Sequence, residues 1–330
     1  MALSVPAAAA LSADDDKVVG EFAIPTVIPL DGPALNHLRR LVRNDPEAAR
    51  LAKAVAADAA PHIGAEPTPL AVIHYEGLVN TNPKRIATVA KLRQMGHTAR
   101  LMRYWQTTGD EKTAATLKAM ILAWSKAYRP TGNDVNENKF YPLLVSYHGL
   151  RDTFTEAERK KADDWVERLG VLHGRAVDKS RRFNNRYGKH VRLLAICGMI
   201  LGRDAWVEKS HEGVRRFVTN SLYADGSSFD LKHRDTLTYH GSALKPVIEL
   251  AMLAGDDGPA LYSWQNPEGG SIKKSVDLVV PYAMGEKTRK EWVNTKVQLD
   301  RRRAAAGLEK YRTGRLYDPM DALDLMERAS

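Results

Sequence analysis

The clearest pattern along the chain is a helical one. In 111–128 the apolar residues Leu117, Ile121, Trp124 and Tyr128 recur at intervals of 4, 3 and 4, which puts them on one face of a helix that must pack against a neighbour. Further on, Thr155 and Glu158 form a T-x-x-E capping box, followed by Trp165, Leu169 and Leu172 on one stripe, the pattern of a second capped helix. Val191–Leu201 is apolar almost all round, as expected of an inner helix covered on both sides, whereas 205–221 is amphipathic. Ile272–Ala283 reads as one more helix, and Arg301-Arg302-Arg303 with the tail beyond as a basic, exposed closing segment. Strand patterns are scarce.

Short turn-like stretches separate these segments: Arg129–Asn133 with Pro130 and Gly132, Gly202–Asp204, and Ala224–Ser228 with Asp225-Gly226. Helices joined this way imply an all-α fold, an array of antiparallel helix hairpins closed or nearly closed into an incomplete (α/α) toroid. A flat helical solenoid is the rival, but the sequence has no fixed-period repeat to support it. Residues 1–31 read as an irregular N-terminal segment rich in Pro and Val near its end, and 32–330 as a single toroidal domain. Such folds occupy this length as one unit.

Charge narrows the partners. The 330 residues carry 49 Lys and Arg against 40 Asp and Glu, a formal charge of +9, which favours an anionic partner: nucleic acid, an anionic lipid surface or an acidic polysaccharide. No block of five or more Lys and Arg, no zinc-finger spacing and no RNP-like aromatic motif occurs, which counts against nucleic acid. No run approaches the roughly 18 apolar residues of a membrane span. The one cysteine, Cys197, lies in an apolar run and reads as a packed thiol. Met1–Ala13 is Ala-rich and lacks the basic start of a secretory signal. It reads as a trimmed signal remnant or a tail, with a periplasmic or secreted location as the expectation.

Four polar clusters border the apolar helices: His74-Tyr75-Glu76-Gly77, Asn133–Tyr141, Asn184–Arg192 and Lys232–His240. Each has a structural explanation of its own. Asn184 and Asn185 suit helix caps, His190 a satisfied core histidine, and Lys232, His233 and Arg234 a solvated face. Together they hold the Asn, His, Arg and Tyr side chains needed to bind a carboxylate and remove the proton beside it. In a 4-linked uronate, hydrogen bonds that draw charge from the C6 carboxylate stabilise the enolate-like transition state at C5. A tyrosine can then act as base toward C5 and as acid toward O4. Hydrolysis would need a pair of carboxyl groups across the bond, and Glu76, Glu137 and Asp235 form no evident pair. The ten histidines form no metal-ligand spacing such as H-E-x-x-H, so neither metal nor cofactor is expected.

Phe183-Asn184-Asn185, Asp225-Gly226-Ser227-Ser228-Phe229-Asp230-Leu231 and Arg234-Asp235-Thr236-Leu237-Thr238-Tyr239-His240 resemble the alginate lyase superfamily of uronate lyases with an α/α toroid. Similarity extends through His74–Gly77, Thr108-Gly109-Asp110, Ala123-Trp124, Pro130–Asn133 and Asn136-Glu137, so it spans roughly 70–255. The resemblance implies that an Asn beside a His neutralises the substrate carboxylate, an Arg assists, and a Tyr followed by His acts as base and acid. Asn185 and Tyr239 match directly. Arg234 lies nearer the tyrosine than the family's arginine does, and Lys232 takes that place in an ungapped match. Arg186 stands where the family has histidine, so either Arg186 replaces it or His190 reaches in from the next turn. The catalytic set implied is Tyr239, Asn185, His190 and Arg234. The substrate-binding set is Asn184, Arg186, Arg192, Lys232, His233, His240, Asn138, Lys139, Tyr141, His74 and Tyr75. Expected is metal-independent β-elimination of mannuronate-rich alginate or glucuronan. The rivals are an inactive toroid that binds acidic polysaccharide and an (α/α) glycoside hydrolase.

Overall fold

The computed structural model describes residues 24–329 apart from Asn80, so the reading of Met1–Ala13 falls outside the described residues. Helix α1 (Gly32–Asn44) starts where Asp31 caps it, and α2 (Pro46–Ala59) follows after a single residue, Asp45, whose carboxylate caps the next amides. Then come α3 (Pro83–Leu92), α4 (Gln94–Thr108), α5 (Glu111–Ala127), the short α6 (Asp134–Glu137), α7 (Tyr141–Leu150), α8 (Glu156–Lys179), α9 (Asn185–Leu201) and α10 (Asp204–Ser221). The C-terminal part holds α11 (Phe229–Arg234), α12 (Leu237–Leu253), α13 (Gly258–Ser263), α14 (Ile272–Asp277), α15 (Val280–Ala283), α16 (Gln298–Ala305) and α17 (Pro319–Ala329).

Leu117, Ile121, Trp124 and Tyr128 are all buried, so the stripe on α5 is the core face its spacing predicts. The Thr155 capping box forms in full. Beyond it, Trp165 and Leu169 are buried and Leu172 half-buried, with Leu172 packed over Gly132. Helix α9 is the inner helix its composition demands: α8, α10 and α12 all pack on it, and α7 touches it too. Gly202, in the left-handed conformation (φ 61°), ends α9 and lets the chain reverse into α10. At Gly170 in α8 a Cβ would sit 2.0 Å from the Trp206 ring, so α8 can hold that indole only where it has no side chain. The result is an (α/α) toroid of helix hairpins.

Ile272–Ala283 is not one helix. It breaks into α14 and α15 around Leu278-Val279. Pro281 has no amide with which to bond the carbonyl of Asp277, so the ladder of helix hydrogen bonds is interrupted there.

Three histidines, His240 buried and His97 and His190 half-buried, give the fold an acid limit. Burial pushes His240 from 6.5 to about 4, as it does His97 and His190, the last two helped by nearby His62 and His173. The unfolded chain therefore binds protons that the fold excludes, so the stability is full above pH about 6.5 and is lost as pH falls toward 4. The fully buried His240 alone accounts for about 3 kcal/mol. In urea unfolding followed across that window, His240→Gln is expected to show a distinctly shallower pH slope than the parent.

Candidate active site

Five parts of the chain meet at a cleft of about 590 Å³: the 75–78 segment with Arg85 of α3, the stretch from α6 to Lys139, the start of α9, the α11–α12 corner and the segment around α16. On α9, the Asn184 side chain accepts from the Arg186 amide and caps the helix. Asn185 follows as the first helical residue, its amide fixed on buried Asp230 at 2.8 Å. Burial pushes the Asp230 carboxyl up to about 6. At the corner, Asp235 takes a left-handed φ of 55°, held by Arg289 and the Asn294 amide on its carboxylate and by the Trp292 amide on its carbonyl. That turn sets Arg234 against Tyr239, with the guanidinium 3.9 Å from the ring centroid.

Arg85, Lys139, Arg186, Lys189, Arg234, Arg303 and Lys310 line the cleft, against only Glu76 and Glu309 among the acids. This is the charge pattern a polyanion needs. The Tyr239 hydroxyl lies 3.4 Å from that of Tyr311, which accepts from Arg303 at 2.9 Å. Arg234 Nη1 donates to both carboxylate oxygens of Asp300, at 2.7 and 2.9 Å.

Arg186 lies between two carboxylates, at 2.6 Å from fully buried Asp134 and 2.7 Å from Glu76. Asn133 holds the other oxygen of Glu76. Behind Arg186, His190 Nε2 is 3.8 Å from Asp134 and its Nδ1 is 2.8 Å from Nδ1 of His173. At 2.8 Å only one proton fits between the two nitrogens. His173 Nε2 in turn lies 2.9 Å from Glu137. Burial pushes Glu137 up, but donors from His173, Thr131 and Tyr128 outweigh it and hold the carboxyl below its usual range. A polar chain thus runs from the core to the cleft wall and ends on Arg186.

The structure gathers most of the sequence-predicted residues. Tyr75, Asn138, Lys139, Asn184, Asn185, Arg186, Arg234 and Tyr239 all line the cleft. Arg192 and Tyr141 line its continuation of about 720 Å³, joined to it through Asn138, Lys139, Lys189, Thr238, Ser242 and Lys310. There Arg192 is buried on Glu249 and Asn138 and stacks over the Tyr141 ring at 4.0 Å.

Five predicted residues do not line the cleft. His190 is one layer behind it, turned to His173. His240 is wholly buried, bonded to the Ser228 hydroxyl at 2.8 Å and the Ser275 carbonyl at 2.9 Å. Lys232 pairs with Asp225 and sits over Tyr223, and His233 stacks on Phe229. His74 is exposed, with its amide on Thr88. In place of these five stand Arg85, Lys189, Arg303, Lys310 and Tyr311; Lys189 falls within the Asn184–Arg192 cluster but belongs to neither implied set, and the other four lie outside the clusters. Lys189 lies one turn after Asn185 on α9, a spacing that signals a shared face. Arg303 belongs to the expected exposed basic segment, yet it is half-buried in the cleft wall, unlike exposed Arg301 and Arg302.

Solved structures of similar shape agree with this architecture. An alginate lyase from Bacteroides ovatus superposes with a TM-score of 0.62 at 15% identity, covering 90% of this chain and 89% of that one. Alginate lyase A1-III from Sphingomonas species A1 gives 0.57 at 18% identity over 88% and 94% of the two chains. A variant of A1-III complexed with tetrasaccharide gives 0.61 at 18% over 88% and 92%. No curated protein sequence matches the chain. The Alginate lyase family model matches residues 43–289, three quarters of the length and both helical corners of the cleft, and the chain therefore belongs to the alginate lyase family of polysaccharide lyases.

Proposed function

We propose that the protein cleaves a 4-linked polyuronate by β-elimination, with Tyr239 as both base and acid. The observation that carries this reading is the position of Tyr239 in the basic cleft, in contact with Arg234 and lining the same wall system as Asn185. The Asn185 amide side chain and the N–H groups of Arg186 meet the C6 carboxylate and draw charge from it. Arg186 brings oriented donors rather than net positive charge, since Asp134 and Glu76 already balance it; Lys139 and Lys189 supply the attraction. Tyr239 then takes the C5 proton, the C4–O4 bond breaks as a C4=C5 double bond forms, and the same phenol returns a proton to O4. His190 stands behind Asp134, its Nε2 at 3.8 Å, and lines the pocket in which that carboxylate directs Arg186. Export to the periplasm or beyond, where such polymers are met, belongs to the same reading.

Hydrolysis is the weaker alternative because the acids are committed elsewhere. Glu137 is buried among donors, Asp235 is tied to Arg289, Glu309 pairs with Arg312, and Glu76 with Arg186. A panel of mannuronate-rich alginate, glucuronan and pectate, assayed in the presence of chelator, tests the proposal. Ultraviolet absorbance from unsaturated ends is expected on alginate or glucuronan. Reducing ends without that absorbance would mean hydrolysis, and polymer retention without either would mean a binding protein.

A further inference from the structure

Behind Tyr239 stands a second phenol that sequence gives no reason to connect with it. Tyr311 is 72 positions further on, and with Trp292 and Arg303 it lies beyond residue 289, where the family match ends. Trp292 is wedged between the two tyrosines, edge-on to Tyr239 at 5.6 Å and tilted on Tyr311 at 5.1 Å. It is 2% exposed and takes a φ of 64°, a conformation that costs an L-residue energy and is kept where the surroundings over-determine it. The indole is thus a fixed spacer that sets the two hydroxyls 3.4 Å apart.

Hydrogen-bond direction follows from the third member. A guanidinium can only donate, so Tyr311 accepts from Arg303 Nη1 at 2.9 Å, and the Arg303 guanidinium also lies 4.8 Å from the Tyr311 ring. Once Tyr239 has no proton of its own, Tyr311 is the donor in the contact between them. A hydrogen bond given to the charged form favours that form, and one that is long in the unliganded protein can tighten in the complex. We infer that Tyr311, gripped by Arg303 and spaced by Trp292, is a positioning residue that donates a hydrogen bond to the Tyr239 phenolate during elimination. The inference rests on Tyr239 being the base.

The test is a kinetic cycle on the full chain with whichever polyuronate it cleaves. Tyr311→Phe keeps the ring that packs on Trp292, so its melting temperature should stay close to the parent's. Its kcat should fall roughly 10- to 100-fold, with KM within about twofold. Arg303→Met should behave alike, and the double variant should be little worse than either single one, because the two act through one hydrogen bond. A raised KM at unchanged kcat would make the pair polymer-binding groups only. Independent, multiplying losses would also overturn the inference, as would normal kinetics in Tyr311→Phe. Tyr239→Phe in the same assay separates the two levels. If it is active, the base assignment itself fails; if it is inactive while Tyr311→Phe is normal, only the relay fails.

Discussion

Tyr239→Phe is expected to abolish turnover while the protein stays folded and still binds polymer. The substitution removes one hydroxyl whose neighbour is Tyr311 at 3.4 Å. It leaves the ring against Trp292 and under Arg234, so the stability cost is about 1 kcal/mol or less. Loss of a general acid–base group costs about 10²–10⁴-fold in rate, and here the same oxygen serves both proton transfers. Steady-state kinetics by ultraviolet absorbance, with thermal melts and polymer retention as controls, gives the answer. Near-normal turnover by a folded variant would pass the role to Tyr311, the phenol nearest Tyr239 in the cleft, because His190 and His240 do not reach it.

The second large effect is on stability. Arg186→Ala is expected to destabilise the fold by about 3 kcal/mol, the lower end of what breaking a buried ion pair costs. Asp134 is fully buried and has Arg186 as its closest cation, with His190 further off at 3.8 Å. Burial and the neighbouring His173 push His190 down to about 4, so above that pH it brings no charge to replace the guanidinium. Arg186 itself is half exposed, and water entering its place offsets part of the loss. Urea unfolding of Arg186→Ala beside Asp134→Asn/Arg186→Ala checks the cause. The double variant should recover most of the lost stability, and if it does not, Asp134 is not the origin. Arg186→Ala alone is for this reason a poor probe of catalysis, since a fall in kcat would mix chemistry with misplacement of the α9 start.

What the sequence made legible was whatever depends on near neighbours. The stripe on α5, the Thr155 cap and the all-round apolar α9 are local patterns, and each became the element it implied. Asn184 and Asn185 were readable twice, as cap residues and as site residues; both line the cleft, but Asn184 alone caps α9 and Asn185 is its first helical residue. What stayed hidden depends on contacts across long separations. His240 and His190 carry the chemistry of a site, but only tertiary packing decides that one faces Ser228 and Ser275 and the other His173. Arg303 and Tyr311 carry no local signal, because their meaning comes from Tyr239, more than sixty residues away. Pro281 was the one local cue that the pattern of Ile272–Ala283 overrode.

The way the cleft is assembled has a consequence for the timing of synthesis. Asn185 and Tyr239 leave the ribosome well before Trp292, Arg303 and Tyr311, and before α17, which packs on α12 and α15. A nascent chain that has released α12 has no wall on the far side of Tyr239. A chain cut short after Gly285 would lack Trp292, Arg303 and Tyr311 and would lay bare the face of α12 that α17 covers.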